Sequence, residues 1–383
     1  MKSYKKQFPI LKTITYFDSA ALVQKPLSVI RAGAEFYTKF AINNHSKNSK
    51  LGLIIEEKIA TVRKKIAKLI QAQSDEIIFT SGTTESINLF ALMIQSQIKA
   101  NHEILLSKYN HTSNLIPWFN IAKATKAKIV LSNNLEKDIN KKTKIIAYSQ
   151  KTNNINIIFD QAKIYNLALK NKAIVVNDAT QAINSQEVNF NYFDVVAFST
   201  NKLYGPTGLG ILAIKKPLLD TLEPIKTGGG TISTIIDSQN WNYYNNVNKF
   251  EAGTLNLSAI WEFENALNLI ETIGIANIKN YLKKLSFYLF DQLSQIENIQ
   301  IYSKRGDSII LFNINNIPAQ DISSYLGHND IYVRSGTFCA PLISQILNQD
   351  SFVRVSLALY NDKKDVDKLV QYLKKYEGFL DFV

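Results

Sequence analysis

Lys202 ends the run Asp194-Val195-Val196-Ala197-Phe198-Ser199-Thr200-Asn201, which reads as a buried strand entering a polar turn, and Gly205-Pro206-Thr207-Gly208 follows at once. A lysine held partly out of water there has a lowered pKa, and its neutral amine can form a Schiff base and then carry a proton. Most lysines are solvated surface charges, so position alone leaves both readings open. Val175-Val176-Asn177-Asp178 places a carboxylate just past another apolar run, where open α/β sheets put ligands. Asp178 is also compatible with a solvated loop acid or the N-cap of the segment from Ala179. Ser81-Gly82-Thr83-Thr84 stands between a strand-like and a helix-like segment. Backbone N–H groups and two hydroxyls there suit an anion, although an ordinary helix cap explains the same residues. Cys339 is the single cysteine, flanked by Gly336 and Pro341 in a loop-like stretch. It reads either as a nucleophilic thiol or as a small buried apolar residue.

The elements that must position these groups alternate along the chain. Leu51–Gln71 has apolar residues at helical spacing, Glu76–Thr80 is a short β-rich run, and Ser86–Lys99 is again helical. Apolar runs at Glu103–Ser107, Lys128–Ser132, Lys144–Ser149, Ala173–Asn177, Asp194–Ser199 and Gly210–Ile214 predict strands of a mainly parallel sheet in an α/β layer. The Asn- and Tyr-rich stretch between Lys226 and Phe250 predicts a surface loop, and Leu257 to about Gln295 a long helical region. Strand-like runs at Ile299–Tyr302, Ser308–Ile314, Ile331–Val333 and Phe352–Leu357, with a last helix Lys363–Lys375, complete a smaller α+β domain. We divide the chain into an N-terminal segment 1–20, a large domain 21–250 and a small domain 251–383 that carries the cysteine.

Composition narrows the classes. At 383 residues, 46% hydrophobic and 20% charged, the chain can build a sizeable core and is neither disordered nor fibrous. No apolar run is long enough to span a bilayer, and no signal-peptide pattern opens the chain, so a cytoplasmic location is expected. A lone cysteine excludes an intramolecular disulfide framework and fits a reducing compartment. His45, His102, His111 and His328 are scattered with no zinc-ligand spacing, so no metal site is expected. The net charge of +12 comes from lysines spread along the sequence with few arginines, which argues against nucleic acid as the partner.

Taken as an ordered set, Phe79-Thr80-Ser81-Gly82-Thr83-Thr84-Glu85, His111-Thr112-Ser113-Asn114-Leu115-Ile116-Pro117-Trp118, Asp178-Ala179-Thr180-Gln181-Ala182 and Ser199-Thr200-Asn201-Lys202-Leu203-Tyr204-Gly205-Pro206 are similar to the class V aminotransferase family. Phe250-Glu251-Ala252-Gly253-Thr254 and Arg334-Ser335-Gly336-Thr337-Phe338-Cys339-Ala340 resemble its Suf-type cysteine desulfurase branch, and the match runs from about Tyr16 to Ser356. The resemblance implies the fold of PLP-dependent transferases of fold type I, pyridoxal 5'-phosphate (PLP) as cofactor, and a homodimer. It implies that Lys202 holds the cofactor covalently, Asp178 bonds the pyridine nitrogen, Gln181 the phenolic oxygen, and His111 stacks on the ring. Thr83, Thr84, Ser199 and Asn201 would contact the phosphate, with Thr254 reaching across from the partner, and Gln150 falls where the family has a cofactor-site asparagine. Arg354 would clamp the substrate carboxylate with Arg334 beside it, and Cys339 would take sulfur from L-cysteine as a persulfide, releasing L-alanine. The product sulfur would pass to an acceptor or scaffold protein for iron-sulfur cluster assembly or thiolation.

The sequence also departs from that family's pattern. Asn201 stands where histidine is usual before the lysine, Asn110 where an acidic residue precedes His111, and Asn153 near a usual glycine; Thr337 and Phe338 replace histidines beside the cysteine. Two other readings therefore stand beside desulfuration: a related PLP-dependent lyase or aminotransferase, for example a selenocysteine lyase, and a non-catalytic relative.

Overall fold

The computed structural model describes residues 4–43, 46 and 48–376; His45 lies outside the described residues. A short strand β1 (Thr15–Tyr16) precedes the main sheet, whose strands are β2 (Ile77–Thr80), β3 (Glu103–Ser107), β4 (Lys128–Ser132), β5 (Thr143–Ser149), β6 (Ile174–Asp178), β7 (Val195–Ser199) and β8 (Gly210–Ile214). They are ordered β2-β8-β7-β6-β5-β3-β4. Strands β6 and β8 are buried throughout, which is why β8 and the first three residues of β6 read as unbroken apolar runs rather than alternating ones. Only β8 opposes its neighbours: it is antiparallel to both β2 and β7. Strand β2 therefore runs with β5, β6 and β7, so Thr80, Ser149, Asp178 and Ser199 end on one edge of the sheet.

That edge is where the functional turns begin. A short 3-10 turn, Thr200–Lys202, follows β7 directly, and the helix Thr83–Ile94 starts after only Ser81 and Gly82 beyond the end of β2. Strand β8 packs so closely against the latter junction that a Cβ added at Gly210 would lie 2.3 Å from the Gly82 Cα. Only glycine permits this approach.

A hairpin, β9 (Ile232–Ile235) and β10 (Trp241–Tyr243), occupies the stretch expected as a loop. The Asn-rich composition hid its short antiparallel register. The expected long helical region is helical and consists of two helices, Leu257–Ile273 and Ile275–Leu293, separated where Gly274 adopts φ 83°. Beyond them β11 (Ile299–Ile301), β12 (Ile309–Ile314), β14 (Arg334–Gly336) and β15 (Phe352–Ser356) form a second, antiparallel sheet ordered β11-β12-β15-β14. Strand β13 (Ile331–Tyr332) instead pairs in parallel with β1, and Asp18 bridges to Ser356. The N-terminal segment is thus stitched to the last third of the chain. Among the described residues no helix is long and apolar enough to cross a membrane, and no cluster of His, Cys, Asp and Glu could hold a metal ion.

Candidate active site

A cavity of about 300 Å³ opens over the shared strand edge. Its wall includes Thr83, Thr84, His111, Asp178, Gln181, Ser199, Asn201, Lys202, Arg334, Cys339 and Arg354, residues from segments up to 271 positions apart. Two of the sequence-derived site residues lie elsewhere. Gln150 turns away: its amide donates to the Glu187 carbonyl at 2.8 Å and accepts from Asn177 Nδ2 at 3.0 Å. Thr254 is exposed and lines a separate surface recess with Ser81, Glu85 and Lys226.

Lys202 Nζ donates to the Ala20 carbonyl at 2.8 Å and also to that of Ala21. Burial, with Arg354 and Arg334 nearby, lowers its pKa to about 8, while Asp18 and Asp178 pull the other way. Part of the population is therefore a neutral amine near neutrality. Its neighbour in space, Lys25, donates to the Val23 and Asn201 carbonyls and is lowered to about 7, first by burial and then by the Lys202 charge.

Asp178 ends β6 with one carboxylate oxygen accepting from the Thr180 N–H at 3.1 Å and the other from Ser149 Oγ at 3.3 Å. His111 Nδ1 accepts from the Ser113 N–H at 3.1 Å, which leaves the proton of the neutral ring on Nε2. Burial pushes its pKa down, with Lys202 and Arg354 adding to that and Asp178 opposing it. The helix start is stitched to the β7 turn, because Ser199 Oγ accepts from the Thr83 N–H at 2.8 Å and pairs with Thr83 Oγ1 at 2.8 Å. Thr84 Oγ1 pairs with Ser113 Oγ at 2.8 Å. Gln181 Nε2 donates to the Ala20 carbonyl at 2.8 Å.

Arg354 is 2% exposed and is held by Asp18 Oδ1 at 2.7 Å and the Asn153 carbonyl at 3.1 Å, with the Phe338 ring 4.4 Å from the guanidinium carbon. Sequence reasoning did not single out Asp18 as a site residue; a carboxylate directly after Tyr16-Phe17 and before Ser19-Ala20-Ala21 was the available signal. Asn153 also donates to the Phe338 carbonyl at 2.7 Å, so the two departures at 153 and 338 meet each other. Asn110 has a structural place, donating to the Ala147 carbonyl at 3.0 Å and accepting from the Ser149 N–H at 3.0 Å, which a carboxylate could only half reproduce.

Cys339 is exposed and free. Phe338 and Cys339 adopt φ 58° and 55°, and the Cys339 carbonyl accepts from the Thr112 N–H at 2.8 Å. Two consecutive non-glycine residues in the left-handed region project the thiol from a strained turn rather than bury it.

A large sheet with its ligand edge formed by β2, β5, β6 and β7, a smaller antiparallel sheet beside it, and a lysine just past β7 define the PLP-dependent transferase fold of type I. A cysteine desulfurase from Thermococcus onnurineus superposes with a TM-score of 0.93 at 30% identity, covering 98% of each chain. One from Escherichia coli gives 0.91 at 28% identity, covering 99% of this chain and 98% of the other. A probable cysteine desulfurase of Ureaplasma parvum is 36% identical over 98% of both chains. The family model for class V aminotransferases matches residues 15–369, and the chain belongs to that family.

The wall suits pyridoxal phosphate. A helix start with Thr83, Thr84 and Ser199 offers an anion site, Asp178 a buried carboxylate for a protonated ring nitrogen, and Lys202 an amine. Asn201 lines the same wall, with its Oδ1 buried and without a hydrogen-bond partner among the described residues.

Proposed function

We propose that the protein is a PLP-dependent cysteine desulfurase that converts L-cysteine to L-alanine and receives the sulfur on Cys339. The observation that carries this reading is that Lys202, Asp178, Arg354 and the exposed thiol of Cys339 line one cavity. Names borne by relatives of the same length support it.

Lys202 would hold the cofactor, with Asp178 at its ring nitrogen, Gln181 at its phenolic oxygen, His111 against its face, and Thr83, Thr84, Ser199 and Asn201 at its phosphate. When bound, PLP supplies an electron sink for the α-carbon of an amino acid. Lys202 Nζ, neutral in part because of its burial, takes the proton from that carbon and can return one. His111, neutral with its proton on Nε2, can donate from that atom into the cavity. Arg354 and Arg334 supply positive charge at the end where the substrate carboxylate would bind. Cys339 Sγ, as a thiolate, attacks the substrate sulfur; the new S–S bond forms as the carbon–sulfur bond breaks, and the thiol's exposure lets an acceptor protein reach the persulfide. The exposed Thr254 at the rim near Ser81 fits a homodimer in which it reaches the partner's phosphate site. We place the enzyme in the cytoplasm, where a lone cysteine stays reduced, and its sulfur in iron-sulfur cluster assembly or thiolation.

The test is incubation of the cofactor-loaded protein with L-cysteine. Equal amounts of alanine and Cys339-bound sulfur are expected, both lost in Cys339→Ser and Lys202→Ala. Alanine or sulfide release that persists in Cys339→Ser would instead identify a lyase.

A further inference from the structure

Phe338, directly before Cys339, is 8% exposed and lines the cavity together with Asn153 and Arg354. Its φ of 58° lies in the left-handed region, which a bulky side chain occupies only where its surroundings fix it. Contacts from separate parts of the chain do so. The Phe338 carbonyl accepts from Asn153 Nδ2 at 2.7 Å. The ring packs in a small apolar cluster with Leu311, Ile343 and Phe352, and it lies 4.4 Å from the Arg354 guanidinium carbon.

Which partner controls which follows from what holds each of them. Arg354 is anchored independently of Phe338, by Asp18 Oδ1 at 2.7 Å and by the Asn153 carbonyl at 3.1 Å. A planar cation fixed in this way is a platform on which an aromatic ring stacks in few positions. Cys339 is exposed, and its own φ of 55° continues the left-handed turn that Phe338 begins. The thiol therefore stands where the Phe338 turn puts it. Asn153 serves both sides of the junction, its carbonyl on the guanidinium and its side-chain amide on the Phe338 carbonyl.

We propose that Phe338 is a positioning residue for sulfur transfer: its ring, stacked on Arg354, and its carbonyl, tied to Asn153, hold the Cys339 thiol in its attacking position at the cavity. The proposal rests on the desulfurase reading and names what aims the nucleophile of that reaction. Phe338 itself neither accepts sulfur nor carries a proton.

Two rates of the holoenzyme separate aiming from the rest of the site. Exchange of the α-hydrogen of L-alanine for solvent deuterium needs Lys202 but no thiol, whereas the appearance of Cys339-bound sulfur from L-cysteine in a single turnover needs both. Phe338→Leu keeps apolar bulk and removes the ring. Asn153→Ala removes the Nδ2 donor and leaves the backbone carbonyl on Arg354. Each is expected to slow sulfur transfer about 10- to 100-fold more than exchange, the order of loss that a displacement of about 1 Å causes. Phe338→Tyr, which retains the ring, is expected to keep the wild-type ratio of the two rates. Equal slowing of both rates, or no slowing of sulfur transfer, overturns the assignment, as does a ratio in Phe338→Tyr as low as that in Phe338→Leu. Should Phe338→Leu fail to fold, Asn153→Ala decides by the same criteria. A wild type that exchanges L-alanine but puts no sulfur on Cys339 would instead overturn the desulfurase reading beneath the proposal.

Discussion

Asp18 Oδ1 lies 2.7 Å from Arg354 Nη2, and this pair ties the N-terminal segment to the heart of the small sheet. Arg334 and Arg354 face each other in register across β14 and β15, an arrangement of like charges that is unfavourable by itself. The Asp18 carboxylate offsets both, and two residues later the Ala20 and Ala21 carbonyls hold Lys202 from the other side. One short segment therefore positions the Arg334 and Arg354 guanidinium groups and the Lys202 amine together.

Asp18→Asn should leave Arg354 buried with its charge uncompensated. A loss of about 3–5 kcal/mol in unfolding free energy is expected from denaturant titration, because removing one member of a buried pair strands the other. A loss under about 1 kcal/mol would show the pair to be energetically idle.

The buried lysines make stability rise with pH. Folded-state values near 8 for Lys202 and Lys151 lie below the ordinary lysine value of 10.5, so the unfolded chain binds more protons between those limits. Their burial penalty is thus full below about pH 8 and fades toward about pH 10.5. Lys151→Met should raise the thermal midpoint of the cofactor-free protein near neutrality, and the gain should shrink in alkaline buffer. A gain independent of pH would contradict the shift.

Neutral His111 should carry its proton on Nε2, since Nδ1 accepts from the Ser113 N–H. Nitrogen-15 spectra of the histidine rings check this, with protonation expected only below the ordinary histidine range because burial opposes it. An Nδ1-protonated tautomer would exclude donation from Nε2.

Gly210→Ala should displace the Gly82 backbone, for the new methyl would sit 2.3 Å from its Cα. Because Thr83 and Ser199 are joined across this junction, the variant is expected to lose cofactor on dialysis and about 1–3 kcal/mol of stability. Retention of cofactor equal to the wild type would show that the turn is not part of the anion site.

Much of this was legible in the sequence, for physical reasons that differ by element. Strands β3, β4 and β8 match the expected runs residue for residue; β3 and β8 lie inside the covered sheet and need continuous apolar sequence, and the edge strand β4 shows the same signal in Ile129-Val130-Leu131. The hairpin at Ile232–Tyr243 was missed because its exposed strands carry Ser, Thr and Asn, which also mark loops. The break at Gly274 was missed because apolar spacing resumes at once after it. Within the cavity, Lys202, Asp178 and Cys339 stood out by residue type and setting. The partnership of Asp18 with Arg354 depends on a contact across 336 residues, and the outward turn of Gln150 on hydrogen bonds to residues beyond the next helix, neither of which a local pattern encodes.

The most direct test of the account is reduction of the cofactor-loaded protein with borohydride followed by peptide mapping. A single pyridoxyl group on Lys202 is the expected result. The same label on Lys25 or Lys151, the other two buried amines nearby, or no label at all, would contradict it.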